Sequence, residues 1–247
     1  ASGKRRPLNE LPSLVSHRRV TSSFLRLLCA CLLAFAAAVS RAETLAEKTL
    51  EEILTRQREV FARAEKEGDE LDEGRLRAEV KSLADSYDVL VQRSPDFVLG
   101  YVAYADLLGR VSMVKEAVSM LFKANQLDPN LPKVKSQIAK FLAEDGKPLE
   151  SLPWTMAAIK LAPNEPRYHL NLGLLLATNR DEFIKAGEFT RATLDKAMLE
   201  AFQRAASLAP DDTAIAYRAA EAYYDVETPP WDAALKAWSA LEERVAP

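Results

Sequence analysis

Four prolines set the frame of this chain. Pro95, Pro129 and Pro163 follow one another at intervals of 34 residues, and Pro210 follows Pro163 at 47, the same interval with 13 residues added. Each ends a stretch of helical apolar spacing: VLVQRSPDF, KANQLDPNLP, AAIKLAPNEP and RAASLAPDD. Five residues before each proline stands a small or apolar residue, Leu90, Ala124, Ala158 or Ala205. An alanine there lets two helix backbones come close. The proline has no N–H and disfavours the α conformation in the residue before it, so the helix stops one turn later. A break that returns at a fixed distance marks a repeat, and a repeat of this length decides the architecture.

Inside each unit the apolar residues recur at helical rather than alternating spacing. VLGYVAYADLLG and MVKEAVSMLFKANQL are joined across Gly109–Ser112; PKVKSQIAKFLAEDG ends at Gly146, and PLESLPWTMAAIKLA follows. No segment reads as a strand. A pair of such short helices cannot bury its own apolar face, so the units must stack. The expected fold is an all-α helix-turn-helix repeat solenoid.

Further details sharpen this. Leu172-Gly173 forms a small pair in the first helix of its unit, with looser versions at Tyr104-Ala105, Ile138-Ala139 and Ala219-Ala220. Large residues follow one turn later at Leu108, Leu142, Leu176 and Tyr223. With the 34-residue period, the alanine of the second helix and the closing proline, residues 98–247 resemble the tetratricopeptide repeat family. The resemblance implies a right-handed superhelix with units at 98–131, 132–165, 166–212 and 213–247. Residues 43–97 read as a degenerate helical pair in front, where Leu83 and Tyr87 keep the spacing before Pro95.

Some positions depart from the family pattern. Ser151 and Thr155 stand where it prefers alanine and a large apolar residue, and Pro153 is expected to start or bend its helix. The last unit holds Pro229-Pro230 and places Trp231, Leu235 and Trp238 on one face with no polar capping helix after Pro247. That face is expected to meet more chain, a partner or another copy. The 13 added residues, RDEFIKAGEFTRA at 180–192, fall between the two helices of the third unit. Either Asp181 caps an extended second helix and the aromatics pack at home, or Phe183, Ile184 and Phe189 contact a partner.

The first residues have a different character. Arg18, Arg19 and Arg26 precede a 13-residue apolar run, Leu27 to Val39, which ends in Ser40-Arg41-Ala42. This is the layout of a secretory signal peptide, preceded by a lead-in and cleaved after Ala42. A spanning helix needs about 20 apolar residues, so an uncleaved anchor is the lesser alternative. Cys29 and Cys31 both lie in the run, and Cys31 is too close to Arg26 for a lipid-attachment site. A chain starting at residue 43 has no cysteine, hence neither a disulfide nor a thiolate metal site. Residues 1–42 hold seven of the 33 Lys/Arg and one of the 36 Asp/Glu, so their removal leaves a net charge of −9. The expected protein is exported, periplasmic, without a membrane span after cleavage, and not a nucleic-acid binder.

Catalytic patterns are missing from the sequence. It contains no glycine-rich phosphate loop and no metal-spaced His/Cys/Asp cluster. His169 reads as a partly buried packing residue, and the acidic EKEGDELDEG at 65–74 as a solvated turn between helices. No catalytic residue, cofactor or metal is therefore assigned, and the chain is not read as an enzyme.

Binding residues come from the resemblance. In the family, the first helices of successive units line a concave groove that takes peptides. This places Leu99, Val102, Asp106, Lys133, Ser136, Lys140, Arg167, Leu170, Asn171, Leu174, Tyr217, Arg218, Glu221 and Tyr224 in or beside the groove. Lys133, Lys140 and Arg167 make its middle basic and able to take a carboxylate. The family's carboxylate clamp is matched only partly, by Asn171 and Arg218 in one register and by Arg167 and Gln137 in the next. The resemblance thus implies a scaffold that binds a protein or peptide segment and supports assembly in the cell envelope. The alternatives are a module that self-associates through its C-terminal helix, or a non-catalytic subunit of an envelope enzyme complex.

Overall fold

The computed structural model describes residues 45–245. The signal segment with Cys29 and Cys31, and Pro247, lie outside the described residues. The chain divides into two compact units, residues 1–49 and 50–247. Of the first, residues 45–49 are described and are helical.

The helices are α1 (residues 45–67), α2 (Glu73–Arg93), α3 (Val98–Arg110), α4 (Val114–Leu127), α5 (Pro132–Glu144) and α6 (Pro148–Leu161). They continue as α7 (Pro166–Thr178), α8 (Arg180–Lys185), α9 (Arg191–Leu208), α10 (Thr213–Glu221) and α11 (Trp231–Val245). Among the described residues there is no strand. From α2 onward each helix packs on the next in sequence, with α7 reaching α9 across the short α8. Contacts confined to helices one or two places apart in the sequence are the signature of a solenoid.

Small residues set the spacing between helices. Ala124, Ala158 and Ala205, each five residues before a closing proline, are all buried. At Gly173 a β-carbon would lie 2.7 Å from the ring of Phe202, itself fully buried, so α7 and α9 meet where only glycine fits. Alanine is the better helix former by about 1 kcal/mol. Even so, Gly173→Ala should lower stability by about 1–2 kcal/mol, because a packed core cannot yield the space. A urea melt showing a gain instead would mean that Phe202 swings aside.

The turns within the first three units share one device. Ser112 and Gly146, 34 residues apart, and Gly187 all have left-handed backbone, with φ of 62°, 73° and 77°. After each, an N–H reaches the carbonyl five residues back: Met113 to Leu108, Lys147 to Leu142 and Glu188 to Phe183. These are Schellman ends, where glycine costs nothing and serine carries a steric penalty.

At the N-terminal end of the solenoid, Gly68–Glu70 form a short turn and Asp72 caps α2 by accepting from the Arg75 N–H. The fully buried Tyr87 donates to Gln57 Oε1 at 2.8 Å and stacks on Tyr104 with centroids 5.2 Å apart. Burial, with the nearby Asp88 carboxylate adding to it, pushes the Tyr104 hydroxyl up to about 12. Burial, and then Asp106, pushes Tyr87 higher still. A raised tyrosine pKa means that the unfolded chain loses its proton first as pH rises. The contribution of these tyrosines to stability should therefore be level below about pH 10, the ordinary tyrosine value, and fall as pH climbs toward 12. Tyr87→Phe should flatten part of that fall in melts recorded across the range.

Two expectations need correction, and one left open between two readings is decided. Helix α6 begins at Pro148 and runs through Pro153. Proline suits a first turn, and the carbonyl deprived of a donor by Pro153 belongs to the exposed Leu149, where water can serve. Asp181 does not cap an extended helix: α8 is separate, and α9 is capped by Thr190 in a reciprocal pair with Thr193. The inserted aromatics face inward. Phe183 is 0% exposed in a core with Leu176, Leu194, Met198 and Phe202, and Ile184 and Phe189 pack against that core. Phe183 and Phe189 meet edge to face at 5.9 Å. Apolar area on so short a helix is best buried against the helices beside it.

Candidate functional site

A cleft of about 500 Å³ opens between α5, α6 and α7. Its floor is Ser151, Thr155 and Ala158 of α6; its walls are Ser136, Ala139 and Lys140 of α5 and Tyr168, Asn171 and Leu174 of α7. The cleft exists because of what α6 lacks. Thr155 is small where the resemblance implies a large apolar residue, so volume that stacking would fill stays open. The hydroxyls on the floor are satisfied: Ser151 Oγ donates to the Ala139 carbonyl at 2.7 Å, and Thr155 Oγ1 to the Ser151 carbonyl at 3.2 Å.

The walls carry groups suited to a polypeptide. The exposed Asn171 donates from Nδ2 to Ser136 Oγ at 3.2 Å, and its amide oxygen can still accept. Lys140 lies 3.7 Å from Glu144, both largely exposed, a pairing weak enough to be exchanged for another carboxylate. Burial, and then Glu165, raises the Tyr168 hydroxyl pKa, so it remains a neutral phenol at neutral pH. Leu174 adds an exposed apolar surface.

The structure thus brings Ser136, Lys140, Asn171 and Leu174 of the expected set into one place. Lys133 and Arg167 are exposed on α5 and α7 but do not line the cleft. Leu170 is half-buried against the core around Phe183. Arg218 is engaged elsewhere, 2.9 Å from Asp225 and 3.6 Å from Glu221, with its guanidinium 4.4 Å above Phe202. A guanidinium so held is not free for a peptide carboxylate. Tyr217 and Tyr224 belong to a separate aromatic group with Trp231 and Trp238 of α11. His169 donates from Nε2 to the Pro163 carbonyl at 2.8 Å, tying α7 to the turn before it.

Sequence reasoning missed Tyr168, Ser151 and Thr155 as lining residues. The departures at 151 and 155 were the visible sign, because a missing side chain in a repeat leaves a hole. Among the described residues, no group of three His, Cys, Asp or Glu is placed to hold a metal ion. No helix among them is long and apolar enough to cross a membrane.

No protein-family model matches the sequence. No curated protein matches it either. Solved structures do resemble it. PilW, described as a widely conserved type IV pilus biogenesis factor, has a TM-score of 0.57 over 81% of this chain and 78% of its own, at 13% identity. MamA has a TM-score of 0.53 over 70% of this chain and 86% of its own, at 16% identity. MamA from Desulfovibrio magneticus RS-1 has one of 0.52 over 68% and 86%, also at 16%.

The fold is the tetratricopeptide repeat. Stacked helix pairs at a 34-residue period, glycine or alanine where backbones meet, and proline at each unit's close together define it. Identities this low speak to the tetratricopeptide architecture alone, so ligand and partner must be argued from this chain's own residues.

Proposed function

We propose that this chain is an exported, non-catalytic scaffold that holds an extended protein segment in the cleft between α5 and α7. Its role would be to gather components of a complex in the periplasm. The observation that carries this reading is the cleft itself, where a side-chain amide, a loosely paired ammonium and an apolar patch surround a floor of small residues. An amide can pair with the N–H and C=O of an extended backbone, while Lys140 can take an acidic side chain or a terminal carboxylate. The envelope setting is supported by the sequence at 18–42 and by the likeness to a pilus biogenesis factor.

The test uses two variants of different kinds. Thr155→Leu fills the cleft and, by burying more apolar area, should raise stability by about 1 kcal/mol. Lys140→Glu reverses the wall charge at an exposed position and should leave stability unchanged. In pull-downs from envelope extract, both should lose the dominant protein that the unaltered chain retains. Retention by both variants would move the site out of the cleft and sink the reading. Mass spectrometry of the secreted chain should find Glu43 at its start.

A further inference from the structure

The aromatic group at α10 and α11 is independent of the cleft. Its ring centroids lie 5.5 Å apart for Tyr217 and Trp238, 6.1 Å for Tyr224 and Trp238, and 6.4 Å for Tyr224 and Trp231. The four rings therefore form one continuous ribbon. Three of them are open to solvent, Tyr217 at 50%, Trp231 at 58% and Tyr224 at 62% exposed. Large aromatics left so bare and so close together are uncommon away from a binding surface.

Charge indicates what would cover them. Elsewhere this protein places its own cations over rings: Arg110 on Phe61, Lys135 on Trp154 and Arg218 on Phe202. Among the described residues, no cation sits over any ring of the ribbon. The surroundings are acidic, since residues 211–245 carry eight Asp/Glu against three Lys/Arg. One of those three, Arg218, is neutralised by Asp225 and Glu221. Glu242 lines a hollow of about 630 Å³ together with Tyr217 and Trp238. Ring faces carry negative potential and hold cations more strongly as water is excluded. A purely apolar ligand would desolvate Glu242 without pairing it, and an anionic one would be repelled.

We propose that this ribbon is a docking surface for a basic segment of a partner protein. Arginine or lysine side chains of that segment stack on Tyr217, Tyr224 and Trp231, with Glu242 facing their charge. Arginine fits better, because its planar, weakly hydrated guanidinium can stack on a ring and still reach a carboxylate.

The three tryptophans make this measurable. With Trp154→Phe, emission reports Trp231 and Trp238 alone. The full chain carrying that change is titrated with capped peptides of alternating glycine and arginine, glycine and glutamate, or glycine and leucine. The arginine peptide alone should give a saturable change, weakened by added salt. Tyr224→Ala should weaken it about tenfold and Glu242→Gln several-fold. Tyr224 is exposed, so that variant should melt at the parent's temperature, which separates lost binding from lost folding. No saturable response, or an equal response to the glutamate or leucine peptide, overturns the proposal. So does light scattering that shows a dimer whose formation shields Trp231 and Leu235, since the occupant would then be a second copy.

Discussion

Phe183→Ala should lower the free energy of unfolding by about 3–5 kcal/mol. Phe183 is the main apolar residue of α8 and is fully buried among Leu176, Leu194, Met198 and Phe202. These residues come from α7 and α9, so the ring fills the space where the insert meets both helices of its own unit. Truncation removes the transfer energy of the ring and leaves a cavity that the rigid helices cannot close. It also strips Phe189 of its edge-to-face partner at 5.9 Å. Urea unfolding of the variant beside the parent gives the number directly. A loss under about 1 kcal/mol would mean that α8 merely lies against the solenoid and contributes little to it.

The second large effect is expected at Asp195. Its Oδ1 lies 2.6 Å from Arg180 Nη1, with both side chains only 12% exposed, and its Oδ2 accepts from the Glu227 N–H at 3.2 Å. One carboxylate thus fastens α8 to α9 and holds the loop that leads into α11. Asp195→Ala strands the Arg180 guanidinium away from water and removes the acceptor of the Glu227 N–H, at a cost of about 3 kcal/mol. Arg180→Met in the same chain should recover much of that loss, because an apolar side chain needs no partner there. Melts of the two single variants and the double variant form the test. Strict additivity would show that the two side chains are not coupled.

Phe183, and the Arg180 that Asp195 holds, lie in a segment whose place in the sequence was plain but whose behaviour was not. The 13 added residues stood out against the 34-residue period. Their aromatics were open to two readings, inward packing or outward contact. The inward orientation depends on Leu194, Met198 and Phe202, which approach only once α7 and α9 are stacked. Likewise, Pro153 was expected to start or bend its helix, yet Pro148 already serves as the first helical residue and leaves Pro153 to be carried inside.

What the sequence determined by itself was the repeat: where helices stop, that they pair, and where their backbones touch. These features rest on local chemistry, since proline disfavours the α conformation in the residue before it and glycine or alanine permits close approach whatever the neighbour. The tertiary structure decided which side chains are free to act. Arg218 matched a binding position in sequence but is held by Asp225 and Phe202, while Thr155 looked like a defect and is the floor of the cleft. Availability depends on partners brought from other turns and helices and on volume left unfilled between them. Both are properties of packing, which only the assembled helices possess.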